Sequence, residues 1–182
     1  MKLRLLYPAI VAALLLSSCN DQPPVPTGRA IFHPQGRTAL TVTDVKPAEL
    51  PVRGEFYIPI YSDIYWGQSS THTDLSATLS IRNTDSANPL ILLKVDYYDS
   101  LGDRIREYVA TPSELAPMAT VEFVIDRDDR SGGSGANFTV KWAARGPITE
   151  PVMESVMLGQ VGGRGVSFLS PGRSVKRIGE TE

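Results

Sequence analysis

The sequence predicts an all-β protein, a single immunoglobulin-like β-sandwich of about eight or nine strands. Three observations carry this. Beyond residue 37, apolar side chains recur at every second position rather than at the 3.6-residue period of a helix. No stretch holds a helical period long enough to sustain a helix, and "PSELAPM" allows one turn at most. Turn-forming residues separate the apolar runs at short intervals, as in a sandwich of antiparallel strands. No internal repeat is visible.

The elements follow in chain order. Leu40 to Val45 and Phe56 to Tyr61 are the first candidate strands, and Pro59 places the second at a sheet edge because it lacks an N–H for the ladder. Ala77, Leu79 and Ile81 alternate with Ser76, Thr78, Ser80 and Arg82, giving one buried and one wet face. Ile91, Leu93, Val95 and Tyr97 form the next run. "SLGDR" then turns the chain into Ile105 to Val109, a hairpin with Gly102 at the tight position. Val121, Phe123 and Ile125 alternate with Thr120, Glu122 and Asp126. Phe138, Val140 and Trp142 alternate with Thr139 and Lys141, so Trp142 should lie in the core. Val152 to Leu158 and Val166 to Leu169 complete the set, and residues 38–170 form the predicted domain.

The N-terminus has a different character. Lys2 and Arg4 precede an apolar run from Leu5 to Leu16, too short for a stable membrane span, and Leu16-Ser17-Ser18-Cys19 follows at once. This resembles a bacterial lipoprotein signal, with residues 1–18 removed and Cys19 acylated to anchor the chain in a membrane. Asn20 stands where an enterobacterial sorting rule requires Asp for inner-membrane retention. By that resemblance the anchor is in the outer membrane, facing the periplasm. Residues 19–37, with Pro23, Pro24, Pro26 and Pro34, read as the lipidated cysteine and a semi-extended tether, and residues 171–182 as a polar tail.

Cys19 is the sole cysteine, so no intramolecular disulfide can form and stability must come from an ordinary core. Removing residues 1–18 takes away Lys2 and Arg4 and no acid, moving the formal charge from −2 to −4. A mildly acidic chain argues against nucleic acid as a partner.

"DRDDRSGGSGANF", residues 126 to 138, crowds charge and glycine between two strands. In a calcium reading, Asp126, Asp128, Asp129 and Ser131 supply hard oxygens at alternating spacing. Against it, no bidentate acid closes the set, Asn137 stands where such a loop needs Glu, and Arg127 and Arg130 neutralise much of the charge. An anion reading on Gly132, Gly133 and Gly135 lacks the lysine and following helix of a phosphate loop. The preferred reading is a long turn, with glycine at positive φ and Asn137 fastening the loop by side-chain hydrogen bonds. No cofactor is expected, with calcium as the exception to test.

Two further stretches invite chemistry. Ser69, Ser70, His72 and Asp74 are the residue types of a nucleophilic triad, but they are adjacent in sequence and no serine sits in a glycine-flanked elbow. Tyr57, Tyr61, Tyr65 and Trp66 form the densest aromatic stretch. If Phe56, Ile58 and Ile60 point inward, Tyr57, Pro59 and Tyr61 face outward, where rings can stack on sugars or grip a protein; the alternative is that neighbouring segments cover them.

The blocks "FYIPIYSDIY", "TLSIRNTD", "KVDYYDSLGDRIREY", "GGSGANFTVKW" and "ESVMLG…GVSF" resemble, in order from about Phe56 to Phe168, the bacterial family catalogued as domain of unknown function 3124. The resemblance implies exported or lipid-anchored envelope proteins without an established activity, and no catalytic residue is carried over from it. The expectation is a lipid-anchored, non-enzymatic interaction module that meets another envelope component, a protein or a glycan. A calcium- or glycan-binding lipoprotein is the alternative, and a hydrolase a more distant one.

Overall fold

The computed structural model describes residues 39–179. Its twelve strands are β1 (Leu40–Val42), β2 (Val52–Pro59), β3 (Asp63–Trp66), β4 (Gln68–Arg82), β5 (Leu90–Tyr98), β6 (Arg104–Val109), β7 (Ser113–Leu115), β8 (Thr120–Ile125), β9 (Asn137–Ala144), β10 (Val152–Val161), β11 (Arg164–Pro171) and β12 (Arg173–Ile178). A single 3-10 turn, Pro47–Glu49, is the one helical element among the described residues. The strands form two antiparallel sheets. One has seven strands, in the order β1-β7-β5-β9-β2-β12 with β6 also on β5; the other has five, β11-β10-β4-β3 with β8 also on β4.

The inner pairings, β4 with β8 and β5 with β9, are those that link strands B with E and C with F in an immunoglobulin-like sandwich. The outer strands are arranged differently: β2 lies beside β9, and β10 beside β4. The alternation read in the sequence supplies the core between the sheets. Phe56 and Ile58 of β2, Phe138, Val140 and Trp142 of β9, and Val95 and Tyr97 of β5 face Leu75, Ala77, Leu79 and Ile81 of β4, Val121, Phe123 and Ile125 of β8, and Met153 and Met157 of β10. Ser155 lies buried between the two methionines, and its hydroxyl donates to the Pro59 carbonyl at 2.6 Å, tying β10 to the end of β2. That bond lets a polar side chain occupy the interior.

Several expectations change. β3, β7 and β12 go beyond the eight or nine strands expected, because none shows a long apolar alternation. β12 occupies the segment expected to be a polar tail: all six of its residues are exposed, and it is held by backbone pairing with β2 from Arg173↔Tyr57 to Ile178↔Arg53. β2 is therefore not an edge strand. Pro59 is its last residue, opposite Asn137 on β9 and past the final β12 pair, so no ladder bond is demanded of its nitrogen. In β5 the single face expected of Ile91, Leu93, Val95 and Tyr97 is broken by a register shift between Leu92 and Lys94. Leu90, Leu92, Val95 and Tyr97 face the main core instead, while Ile91 joins Leu50 and Ala143 in a small second cluster with Leu93 against it. The β5–β6 hairpin forms as expected, with Gly102 at φ 90° and the Asp99 carboxylate accepting from Leu101 N and Asp103 N.

One end of the sandwich is closed by buried Asn83 and Asp85. The Asn83 amide donates to the carbonyls of Asn88, Leu115 and Ala116, and the Asp85 carboxylate accepts from Ala87 N, Asn88 N and Thr149 N at 2.7 to 3.0 Å. The backbone N–H bonds from Thr149, Ala87 and Asn88 pull the Asp85 carboxyl down to about 2.

Candidate functional site

The opposite end carries the residues singled out in the sequence. β10 accompanies β4 only as far as Gly159↔Leu75, and beyond that point β4 pairs with β3 alone. The β3–β4 hairpin thus projects past the five-stranded sheet, beside the tip of the β10–β11 hairpin at Val161↔Arg164. The projecting part is irregular. Tyr65 pairs with His72 and Trp66 with Gln68, which leaves Ser69, Ser70 and Thr71 as a bulge, and Gly67 turns the chain at φ 73°. Every residue from Tyr65 to His72 is exposed, with Tyr65 58% and Trp66 53% accessible. Between Asp63 and Asp74 there is no Asp, Glu, Lys or Arg.

The acids at the hairpin base each have a side-chain partner. His72 Nδ1 lies 3.3 Å from Asp63 Oδ2, and the His72 ring packs on Tyr65 with centroids 4.3 Å apart. Asp74 pairs with Arg130 of the β8–β9 connection at 2.5 Å. The serine, histidine and aspartate that suggested a triad are therefore separated into different contacts: the acid beside His72 is Asp63, and Asp74 is engaged by arginine.

The β8–β9 connection, residues 126 to 136, underpins the hairpin as a packed turn. Asp129 N donates to the Asp126 carbonyl at 3.0 Å. The Asp129 carboxylate accepts from Ser131 N and Oγ on one oxygen and from Arg106 Nη2 at 2.8 Å on the other. Burial works against ionisation of Asp129, but the bonds from Ser131 and Arg106 outweigh it and hold the carboxyl below its ordinary value. Arg106 in turn donates to Tyr108 Oη at 2.9 Å. The oxygens proposed for calcium are thus divided, with those of Asp129 facing arginine and serine while Asp126 and Asp128 lie exposed. Among the described residues no group of three or more His, Cys, Asp or Glu side chains converges as a metal would require.

Gly133 has the positive φ expected in this turn, 71°. Asn137 is not the fastener; it is the first residue of β9, paired with Pro59 and Tyr98. That role falls to two serines from other connections. Ser62 donates from both N and Oγ to the Gly133 carbonyl. Ser100 donates from N and Oγ to the Gly132 carbonyl and accepts from Gly135 N at 2.8 Å. Gly132 lies against the phenol oxygen of buried Tyr97, which burial pushes up to about 12 against the opposing pull of the Ser62 side chain, and which makes no well-formed hydrogen bond. Neither serine stood out in the sequence, since their partners are 71 and 32 residues away.

The aromatic stretch does not form one platform. Phe56, Ile58 and Ile60 are buried, and Tyr57 stands 39% exposed on the outer face of the seven-stranded sheet. Tyr61 lies where the chain leaves that sheet, packed edge-on against Phe168 of β11 at 5.6 Å. Tyr65 and Trp66 stand on the hairpin. Cys19 and the other leader and tether positions lie outside the described residues. Within those residues, no helix is long and apolar enough to cross a membrane.

Comparison with curated proteins returns no match. Among solved structures, one titled "Crystal Structure of Thermotoga maritima 1070" aligns over 66% of this chain and 92% of its own, at 12% identity and a TM-score of 0.38. The model of the family described as "Protein of unknown function (DUF3124)" matches residues 53–175, from β2 into β12 and through every residue of the hairpin end. The chain belongs to the DUF3124 family of proteins of unknown function.

Proposed function

We propose that this protein is a lipid-anchored cell-envelope module that binds another envelope component without catalysing a reaction, and that it does so through the β3–β4 hairpin. One observation carries the binding surface. Most large rings of the domain are buried or edge-packed, whereas Tyr65 and Trp66 are more than half exposed on a hairpin that projects from the sheet. Exposed aromatic side chains supply large contact area with few rotatable bonds, which is why they recur at binding surfaces. The side-chain contacts beneath, Asp63 with His72 and Asp74 with Arg130, support a hairpin held in place by its own base.

The anchor rests on Leu16-Ser17-Ser18-Cys19 closing the apolar run. Cys19→Ser should abolish labelling by a fatty-acid probe, and normal labelling would remove the anchor from this reading. For the surface, a photo-crosslinking residue at position 66 should give a discrete adduct in intact cells, whereas one at Glu122, on the outer face of β8, should not. Equal, diffuse labelling from both positions would remove the hairpin as the contact.

A further inference from the structure

We infer that the β3–β4 hairpin is a carbohydrate-binding subsite whose ligand is an uncharged stretch of glycan. The inference rests on the binding role proposed for this hairpin and names its ligand class. The ligand must suit the chemistry of the tip, and the tip combines two features. Tyr65 and Trp66 are more than half exposed, Tyr65 with the His72 ring against it, and next to them in the hairpin Gln68, paired with Trp66, and the bulge Ser69, Ser70 and Thr71 expose an amide and three hydroxyls that both donate and accept. A pyranose has the matching pair of surfaces: a patch of C–H bonds that stacks on an aromatic face and a rim of hydroxyls that exchange hydrogen bonds with side chains of this kind.

Charge excludes the other occupants. The tip has no Asp, Glu, Lys or Arg, and each acid at its base already has a cationic or imidazole partner. Within the tip itself a charged polymer finds no unpaired counter-charge; the exposed Arg164 of the β10–β11 tip stands on a separate hairpin. An anionic lipid surface attracts basic segments, whereas the nearby β8–β9 connection exposes Arg127 between Asp126 and Asp128, with Arg130 held by Asp74, and so presents no basic patch. A protein contact of high affinity surrounds its aromatic anchors with residues that exclude water. Here the rings stand among hydroxyls, which compete for water unless the ligand supplies hydrogen bonds in its place.

The chain's two tryptophans make the test direct, because Trp142 is wholly buried and Trp66 is exposed. A fluorescence change on adding a ligand to the hairpin therefore reports Trp66. The full chain, solubilised in a detergent without a sugar headgroup, is titrated with the hexamer of N-acetylglucosamine, with cellohexaose and with maltohexaose. A saturable change with at least one of them is expected. By isothermal titration calorimetry, Trp66→Ala and Tyr65→Ala should weaken binding about tenfold or more, while Tyr65→Phe, which keeps the ring, should bind nearly as the parent. All three variants should melt with the parent, since the altered side chains are exposed. No saturable response to any of the three sugars overturns the inference. So does a Trp66 blue shift on phosphatidylcholine and phosphatidylglycerol vesicles without a sugar response, which assigns the hairpin to lipid. A discrete photo-adduct at position 66 with no sugar response would leave the interaction module standing and remove glycan as its ligand.

Discussion

Gly132→Ala should destabilise the protein through one contact, and a second substitution should partly undo it. A Cβ at Gly132 would fall on the phenol oxygen of Tyr97 and 2.7 Å from both Tyr97 Cζ and Ala136 Cβ. Carbon atoms pack best at about 3.5–4.0 Å, so roughly an ångström or more must open at each contact. Tyr97 cannot retreat, because it is wholly buried with the Phe138 ring 5.0 Å away in a close-packed interior. The loop must lift instead, and that strains the two bonds from Ser100 to the Gly132 carbonyl, both 3.0 Å. Overpacking costs about 1–3 kcal/mol and each weakened hydrogen bond about 1 kcal/mol, so the expected loss is about 2–5 kcal/mol. For a domain of this size that corresponds to roughly 6–20 °C in melting temperature, read by circular dichroism. Tyr97→Phe alone should be close to neutral, since it removes a buried oxygen that makes no well-formed hydrogen bond and interacts only weakly with the Ser62 side chain. In the double variant the worst contact disappears while the one to Cζ remains, giving partial recovery and a coupling of about 1 kcal/mol or more. A Gly132→Ala melt within 2 °C of the parent, or strict additivity in the double variant, would show that the loop does not rest on Tyr97 as described.

Trp142→Ala should cost about 3–5 kcal/mol, and Gly54→Ala, whose Cβ would meet the indole at 2.5 to 2.8 Å, about 1–3 kcal/mol; urea melts near the parent for both would refute the core face of β9. Asp85 has a depressed carboxyl, so its contribution is full above about 3.8 and is lost as pH falls through about 2. Asp85→Asn should therefore melt lower at neutral pH, with the gap from the parent narrowing across that window; a gap that stays constant down to pH 2 would rule out this linkage. Asp126→Asn with Asp128→Asn should leave the melting temperature unchanged with or without calcium, because these carboxylates are exposed. A calcium-dependent rise in the parent, absent from the double variant, would instead establish an ion site.

The architecture was legible wherever one strand face is buried. The alternation in 76–82, 120–126 and 138–142 marks strands β4, β8 and β9, and the residues it points inward are the ones that fill the core. Where burial does not shape composition, the sequence has little to read. β12 is exposed along its whole length and is a strand because β2 offers it backbone partners, so "RSVKRI" looks like a tail. β5 misleads for the opposite reason. A bulge at Leu93 shifts its inward face by one residue, and because both faces are apolar at that point, the slip leaves no mark in the hydrophobic pattern.

The site was legible by residue type and not by arrangement. "DRDDRSGGSGANF" announces a turn through its glycines, yet what holds the turn is Ser62, Ser100 and Arg106, each supplied by another connection or strand. No spacing rule reaches across such separations. The aromatic stretch shows the same limit from the other side. Tyr57, Tyr61, Tyr65 and Trp66 are neighbours in sequence, but the chain leaves one sheet at Tyr61 and enters the other at Asp63, so the four rings are distributed to an outer sheet face, a covered corner and a free hairpin. Only the last combines exposed rings with an uncharged, hydroxyl-bearing bulge. It does so because the β3–β4 pair outruns its neighbour β10, and the length of β4, rather than any motif, turns two aromatic residues into a candidate binding surface.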